Sequence, residues 1–517
     1  MKSPKKKTLF TIAVAISFIL IVGILIAGHI FKTKTEEALS SKIPAAWHLN
    51  YESLETNVLL GKISLDNIKL SKSNPDKKQG LEIQARSIIL KGLDYSDMLL
   101  KKQLKADQLT IQHPKAYLNN DFQSNGAKSD TLSTGENKFE IGEVIIENGS
   151  LTVFDQKSDS VLHSVGAFDI KVSELTNFSD KSSLKKPVNY SLEKLLAKNI
   201  EARLGRFEIL KLDDIHLESS TAELRNVELK TKNDKKTLSS VLNKERDHVQ
   251  LTIPKVELEG LHQNFWAEPA SLKISKLTFS NPKAQVYRDK LLPDDTRHKK
   301  MFGHMLRHIS WKLAIDSVHI KDGRLSYKEK VKEGFQPDSL LFTAIDMNIT
   351  NVQNIEDKKA SVNSTAKLMG KGAFELDWSF YPLDVSDRFT ASGQLMDFNS
   401  ENINPFLRTN LEAKVKGEVN EFYFTVSGNA IKSSGDMKMK YEDFEFMVLK
   451  KDLLGINKVF TAVVNIFAND GSKTDAQGYR YGQIEVERDP TKSFFNYLWR
   501  NVKDGLVDTV TGDGEKE

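Results

Sequence analysis

Period-2 alternation is the feature that most limits how this chain can fold. In "GKISLDNIKL" (Gly61–Leu70) Ile63 and Leu65 share one side, and in "LEIQARSIIL" (Leu81–Leu90) Leu81, Ile83 and Ala85 do the same. "LKISKLTF" (Leu272–Phe279) and "MKMKYEDFEF" (Met437–Phe446) keep the habit, which runs through most of the chain beyond about Trp47. Successive side chains of a strand point to opposite faces. Short alternating runs bounded by Gly, Asn, Asp or Pro therefore predict antiparallel strands with one apolar and one solvated face.

The runs also recur in order. "LTIQHPKAYL" begins at Leu109 and "LTFSNPKAQVY" at Leu277, 168 positions later; Gly92 and Gly260, and Pro114 and Pro282, share that offset. "VIIENGSLTVFD" (Val144–Asp155) is echoed 174 positions on by "VHIKDGRLSYKE" (Val318–Glu329), and "SLDNIKL" (Ser64–Leu70) 159 positions on by "ELRNVEL" (Glu223–Leu229). Landmarks in one order with small spacing changes indicate a tandem duplication, one copy near 61–156 and the other near 222–330. Insertions between landmarks fall in loops. A unit that cannot cover its own apolar face stacks on a neighbour and extends a sheet.

Composition narrows the partners. The chain has 517 residues, 74 Lys and Arg against 70 Asp and Glu, and a net charge of +4, which lacks the basic excess that tracks phosphates and argues against nucleic acid. There is no cysteine, which removes disulfides, thiolate metal sites and cysteine nucleophiles and fits a bacterial periplasm.

"LFTIAVAISFILIVGILIAGHIF" (Leu9–Phe31) holds no Asp, Glu, Lys or Arg over 23 residues. As a helix it would be roughly 34 Å long, enough for a ~30 Å hydrocarbon core. It is longer than the usual apolar region of a signal peptide, and no clean cleavage site follows, so a retained anchor is expected. Lys2, Lys5, Lys6 and Lys7 precede it; Lys32, Lys34, Glu36 and Glu37 follow. This places the short N-terminal tail in the cytoplasm and the rest outside.

Helices are expected at "SLEKLLAKNIEARL" (Ser191–Leu204), "TLSSVLNKERD" (Thr237–Asp247), "HKKMFGHMLRHISWKLA" (His298–Ala314) and "DLLGINKVFTAVVNIFAND" (Asp452–Asp470). A last one is expected in "TKSFFNYLWRNVKDGLVD" (Thr491–Asp508), with Phe495, Leu498, Val502 and Leu506 on one face. Residues 119–138 read as a long loop. The expected organisation is a basic tail (1–8), a membrane helix (9–31), a first β-repeat unit (32–190), a second (191–335), a C-terminal β-region (336–447) and a helical segment (448–517). Soft boundaries fall near 175–200 and 331–340.

Signals for chemistry are weak. His304 and His308 stand four apart, with His298 upstream, but residue 305 is Met and H-E-x-x-H is not met, so surface histidines are the reading. "GSKT" (Gly471–Thr474) lacks both glycines of a phosphate-binding loop, and there is no G-x-S-x-G elbow. Asp213–Asp214 and Asp294–Asp295 read as solvated corners. No catalytic residue, metal site or cofactor is expected.

A Lys-rich tail and one N-terminal helix are followed by "LNYESLETNVLLGKISLDNIKL" (Leu49–Leu70) and then by units of the A-x-x-L-x-I-x-x-P-x-A-x-L kind. Later come "GKGAFELDWSFYP" (Gly370–Pro382), "RFTASGQLMDFNSENINPFL" (Arg388–Leu407), "GEVNEFYFTVSGNAIKSSGDMKMKYEDFEF" (Gly417–Phe446) and "VERDPTKSFFNYLWRNVKDGL" (Val486–Leu506). Over nearly its whole length the chain resembles the AsmA-like proteins, relatives of TamB and YhdP, of the Gram-negative inner membrane. The resemblance implies a long curled β-sheet, open along one seam, and a role in managing phospholipids between the inner and outer membranes. It implies no catalytic residues.

That role agrees with an open, one-faced sheet. The lining is expected to include Ile63, Leu65, Leu81, Ile83, Leu109, Ile111, Leu224, Val256, Leu258, Leu272, Ile274, Leu277, Phe279, Met437 and Met439. Phospholipids, the inner membrane and other envelope proteins are the expected partners. The same alternation also fits an anchored scaffold or outer-membrane-protein assembly factor whose core is filled by its own side chains. Ile274→Glu is expected to separate the two, sparing the fold if the face is open.

Overall fold

A computed structural model describes residues 47–57, 60–74, 77–97, 103–120, 138–155, 157–177, 189–265, 269–334, 336–448, 474–511 and 514–515. The expected membrane helix (9–31), the long loop (121–137) and the expected helix at 452–470 lie outside these residues, apart from the loop's margins. Among the described residues no helix is long and apolar enough to cross a membrane. The chain divides into two compact units, and the division falls between Arg225 and Asn226, inside β11 (Thr221–Thr231).

The first unit is a sheet built from β1 (Trp47–Asn50), β2 (Ser53–Asn57), β3 (Lys62–Asn74), β4 (Lys77–Lys91), β5 (Gln103–Gln112), β6 (Lys115–Asn119), β7 (Lys138–Phe154), β8 (Val161–Thr176), β9 (Asn189–Leu204) and β10 (Glu208–Glu218). β1 and β2 both pair with β3, and β3 pairs with β4. β5 and β6 lie end to end between β4 and β7, and β8, β9 and β10 follow in turn.

The second unit contains helix α1 (Lys235–Val241), β12 (Asp247–Glu259), β13 (His262–Asn264), β14 (Ser271–Ser280), β15 (Lys283–Asp289), α2 (Phe302–Arg307), β16 (Lys312–Lys330), β17 (Ser339–Gln353), β18 (Ala360–Leu368), β19 (Gly372–Phe380) and β20 (Phe389–Asn399). It continues with α3 (Asn404–Leu411), β21 (Ala413–Gly428), β22 (Lys432–Val448), β23 (Arg480–Glu487) and α4 (Phe494–Thr511). β14 and β15 lie end to end between β12 and β16, and from β16 to β23 each strand pairs with the next.

The fold is mainly β, but the sheets are mixed rather than antiparallel throughout. β5 and β6 run parallel to β7, and β14 and β15 run parallel to β16. A parallel pair needs a crossover of a dozen or more residues. The stretches 120–137 and 290–311 have that length, and the sequence signal for the parallel links was their length.

The two copies of the repeat share one register. Leu90 pairs with Leu109 and Leu109 with Val144; Leu258 pairs with Leu277 and Leu277 with Val318. The Pro-Lys-Ala phrase explains itself here. His113 (φ 51) and Asn281 (φ 52) adopt left-handed backbone just before Pro114 and Pro282. Their N–H groups donate to Glu147 O (2.7 Å) and Lys321 O (2.8 Å), while Pro114 O and Pro282 O accept from Ser150 N (2.7 Å) and Arg324 N (2.8 Å). Opposite each kink sits a matching bulge, at Asn148–Gly149 and Asp322–Gly323. Proline has no N–H for the ladder, so the strand is interrupted and resumes after two residues. The phrase repeats because the crease repeats.

Ser191–Leu204 is strand, not helix: it forms most of β9. Its apolar residues Leu192, Leu195, Ala197 and Ile200 face Val172, Ile170, Phe168 and Val165 of β8. A register slip at Val172 and a break in the ladder at left-handed Asn199 (φ 54) turn a period of two into gaps of three, two and three. That spacing imitates a helix. The other helices are shorter or shifted. α1 is capped by Asp234, whose carboxylate accepts from Lys236 N and Thr237 N (both 3.0 Å), and it ends before the expected Asp247. Within 298–314 only α2 is helical, because from Lys312 the chain joins β14 as strand β16. The expected boundaries fall within or beside strands: 189–204 is β9, and 331–334 and 336–338 lie between β16 and β17.

α4 forms as expected, but its buried side carries Phe494, Tyr497, Leu498, Asn501, Gly505 and Thr509, and Phe495 is exposed. Small residues decide this. A Cβ on Gly505 would come within 2.7 Å of the Ile484 side chain, and one on Gly482 within 2.4 Å of Thr509 N. Asp504 and Asp508 accept from Glu485 N (2.9 Å) and Gln483 N (2.7 Å), so the helix also occupies the outer edge of β23, which would otherwise offer itself to another strand.

Candidate functional site

Reading across the strands gives rows of side chains that share a face. In the second unit one row runs Leu258, Leu277, Val318, Ile349, Val362, Trp378, Ala391, Val426, Gly435 and Ile484. Two positions along the strands, a second row runs Val256, Phe279, Ile320, Met347, Ser364, Leu376, Gly393, Phe424, Met437 and Gly482. Between them, on the other face, stand Glu257, Thr278, His319, Asn348, Asn363, Asp377, Ser392, Thr425, Asp436 and Gln483. Ser364 and three glycines aside, the first face is apolar and the other is polar. In the first unit the corresponding apolar row is Leu54, Leu65, Ile88, Ile111, Ile146, Ile170, Leu195 and Leu217.

What covers the apolar face differs along it. In the first copy Ile63, Leu65, Leu81, Ile83, Leu109 and Ile111 belong to one packed core, with Leu109 and Ile111 each 1% exposed. Leu258, Leu272, Leu277 and Phe279 in the second copy are only half-buried, as are Ile320, Ile349, Met347, Leu376 and Trp378 further along. Val256 and Ile274 are buried there, and Leu224, on β11, is half-buried. From β20 onward the face is covered again: Met437 and Met439 are buried in a core completed by α4.

The covering begins at an aromatic group. Trp378 stacks on Phe494 (4.6 Å between centroids), and Phe302 of α2 meets both Trp378 (5.0 Å) and Phe494 (5.8 Å). The crossover that carries Phe302 is fastened to the segment leading into α4. Lys299 N donates to Pro490 O (2.7 Å), and Lys492 bridges Asp294 (2.9 Å) and Glu245 (3.3 Å). Asp295 is no solvated corner. It is 6% exposed and accepts from Arg297, Lys244 and Lys299. Hydrogen bonding from Arg297 outweighs the opposing effect of burial and, with Lys244 and Lys299, holds its carboxyl far below the usual range. Glu245 is lowered too: burial works against this, and Lys290 leads the groups that overcome it. Asp213 and Asp214 lie within β10.

The polar face holds a concavity of about 430 Å³, lined by groups such as His319, Asp346, Asn348, Asn363 and Asp377. Its walls are hydrogen-bonded to each other, as in Asn363 Nδ2 to Asp377 Oδ1 (2.6 Å), and it is a shallow furrow between strands. His304 and His308 stack at 3.9 Å, and His308 Nδ1 lies 2.7 Å from His304 O. Burial, then the neighbouring His308, lowers the pKa of His304. Among the described residues no cluster of His, Cys, Asp and Glu could hold a metal ion.

Of the lining residues named from sequence, Leu65 and Ile111 stand in the apolar row of the first unit and Val256, Leu258, Leu277, Phe279 and Met437 in the rows of the second; alternation does not say which of them stay uncovered. No family model matches the chain, and no curated relative does.

Proposed function

We propose that this chain is an inner-membrane-anchored, periplasmic AsmA-like protein that holds phospholipid acyl chains against an apolar sheet face and so supports lipid transport or homeostasis between the inner and outer membranes. The observation that carries this reading is the apolar face from β14 to β19, where Leu277, Phe279, Ile320, Met347, Ile349 and Leu376 are only half-buried although Ile274, Val318 and Val362 among them are buried, backed by His319, Asn348, Asn363 and Asp377 on the other side of the same strands. Leaving the ~30 methylenes of a diacyl lipid in water costs on the order of 20 kcal/mol at ~0.8 kcal/mol each. A face that receives them lowers the barrier to moving a lipid without any chemistry. From β14 to β19 there are five strand rows, roughly 19 Å at ~4.8 Å spacing, against ~15 Å for one leaflet of a hydrocarbon core. This partly uncovered stretch, which ends where Phe302 and Phe494 pack on Trp378, is on the scale of one acyl chain.

A second reading has its own support. The packed face of the first copy and the helix-covered face beyond β20 are what an anchored scaffold or assembly factor with a filled core would have.

Site-specific photocrosslinking distinguishes them. A photoreactive residue at Phe279, on the apolar face, is expected to give a phospholipid adduct detectable by mass spectrometry when the full chain is expressed in a Gram-negative host. The same residue at His319, on the polar face, gives none. Adducts at neither position, in a folded protein, favour the scaffold.

A further inference from the structure

Three consecutive hairpins of the second unit turn at the same margin of the sheet. The last rungs before the turns are Thr350–Ser361, Phe380–Phe389 and Gly428–Ser433, and the ladder places them side by side. Each turn presents a large apolar side chain to solvent: Ile355 (46% exposed), Tyr381 (42%) and Val385 (85%), and Ile431 (72%). Elsewhere in the unit the exposed large hydrophobic side chains are Val241, Met305, Phe495 and Trp499 on helices, Leu291 after β15 and Phe265 after β13, and none of these stands on the three turns. At the opposite margin, the described residues joining β16 to β17, β18 to β19 and β20 to β21 include no exposed large hydrophobic side chain.

We propose that this margin rests on a phospholipid bilayer, with the tips of the three turns entering its interfacial layer. Three features favour a bilayer over a protein. The apolar side chains stand one or two to a turn, with hairpins about 10 Å apart at two strand spacings and polar residues between them. A protein interface needs a contiguous packed patch, whereas lipid accepts each tip separately. Most of the charges on the turns are met locally: Glu356 pairs with Lys358 (2.7 Å), Asp384 with Arg388 (2.5 Å) and Asp387 with Arg307 (2.9 Å), and Asp357 and Lys359 are of opposite sign. A strongly charged partner would have little to grip. Tyr381 has the amphipathic ring that collects at membrane interfaces. The second and third turns are also fixed relative to one another, since Ala430 N donates to Ser386 O (3.2 Å).

The chain lies along the membrane by this margin, so lipid reaches the apolar face from the side. The inference stands on the turns alone and does not require that the face hold lipid.

The absence of cysteine makes a direct test simple. Single cysteines replace Ile355, Val385, Ile431 and, at the opposite margin, Lys371, and each carries an environment-sensitive fluorophore. The full chain is reconstituted in phosphatidylethanolamine–phosphatidylglycerol vesicles, with quencher-bearing lipid either in those vesicles or in a second population added afterwards. In one of the two arrangements, all three tip probes are expected to be quenched at least about three-fold more than the Lys371 probe. Adding Val385→Asp and Ile431→Asp is expected to abolish the quenching at position 355 while leaving the melting temperature unchanged. Tip probes quenched no more than the Lys371 probe in both arrangements overturn the proposal. Quenching at 355 that survives the double substitution overturns it as well. Lipid adducts at Phe279 would be unaffected by either result, so failure here is separable from failure of the proposed function.

Discussion

Ile111 and Phe279 occupy the same rung of the same ladder, 168 residues apart, with the same neighbours in register. Ile111 is closed inside a core and Phe279 is half-open. The same difference separates Leu81 from Val249, Leu90 from Leu258 and Leu118 from Val286. Backbone pairing is thus duplicated while burial is not. Pairing depends on local spacing and turn chemistry, which a duplicated sequence carries with it. Burial depends on what lies over the face, which is a property of each copy's surroundings.

The sharpest way to break the comparison is a charge at the shared rung. Ile111→Glu places an unpaired carboxylate in a packed core and is expected to cost about 4 kcal/mol, enough to unfold the first unit. Phe279→Glu is expected to cost under about 1.5 kcal/mol, because its carboxylate reaches water. Urea unfolding of the two variants checks this, and equal losses would mean that both faces are filled. Ile274 is a poor choice for the same test: at 4% exposure it is buried, so Ile274→Glu reports on packing alone.

The matched bulges give a smaller contrast. A Cβ on Gly149 would sit 2.4 Å from the Phe168 ring, whereas one on Gly323 would sit 3.2 Å from the Ile320 and Ile345 side chains. Gly149→Ala is expected to cost about 2–3 kcal/mol and Gly323→Ala under about 1. A calorimetric melt of each measures the tightness of packing behind the two creases.

The crossover of the second copy supplies a pH test. The folded-state pKa values of Asp295 and Glu245 are depressed, so their stabilisation is present above the unfolded values near 4 and is lost as pH falls through the folded ones. Melting temperature should therefore decline below about pH 4. Asp295→Asn is expected to cost about 2 kcal/mol at neutral pH and to flatten that decline. An unchanged acid profile in this variant would place the sensitivity in other groups.

The smallest effect should be an equality. Gly92 and Gly260 both have φ +66, and an alanine at either would be strained and press on a flexible side chain, Asp107 or Ser275. Each substitution is expected to cost about 1–2 kcal/mol. A large disparity would show that the two creases differ in backbone as well as in cover.

Much of this was legible in the sequence. Alternation marked the strands, and the order of landmarks marked a duplication whose copies pair in one register. It failed where breaks in phase disguised a strand: the register slip at Val172 and left-handed Asn199 made β9 read as a helix. It failed again in α4, where Phe495 had the spacing of a buried residue, but Gly482 and Gly505 let the neighbouring stripe approach the sheet instead.

The sequence by itself determined which residues share a face, because a strand's side chains alternate whatever surrounds them. Only the tertiary structure decided which of those residues meet water. Leu109 and Leu277 are the same residue in the same phrase, and nothing local separates them. One lies in a packed core and the other is left half-open, because burial is set by chain segments distant in sequence that come to lie over a face.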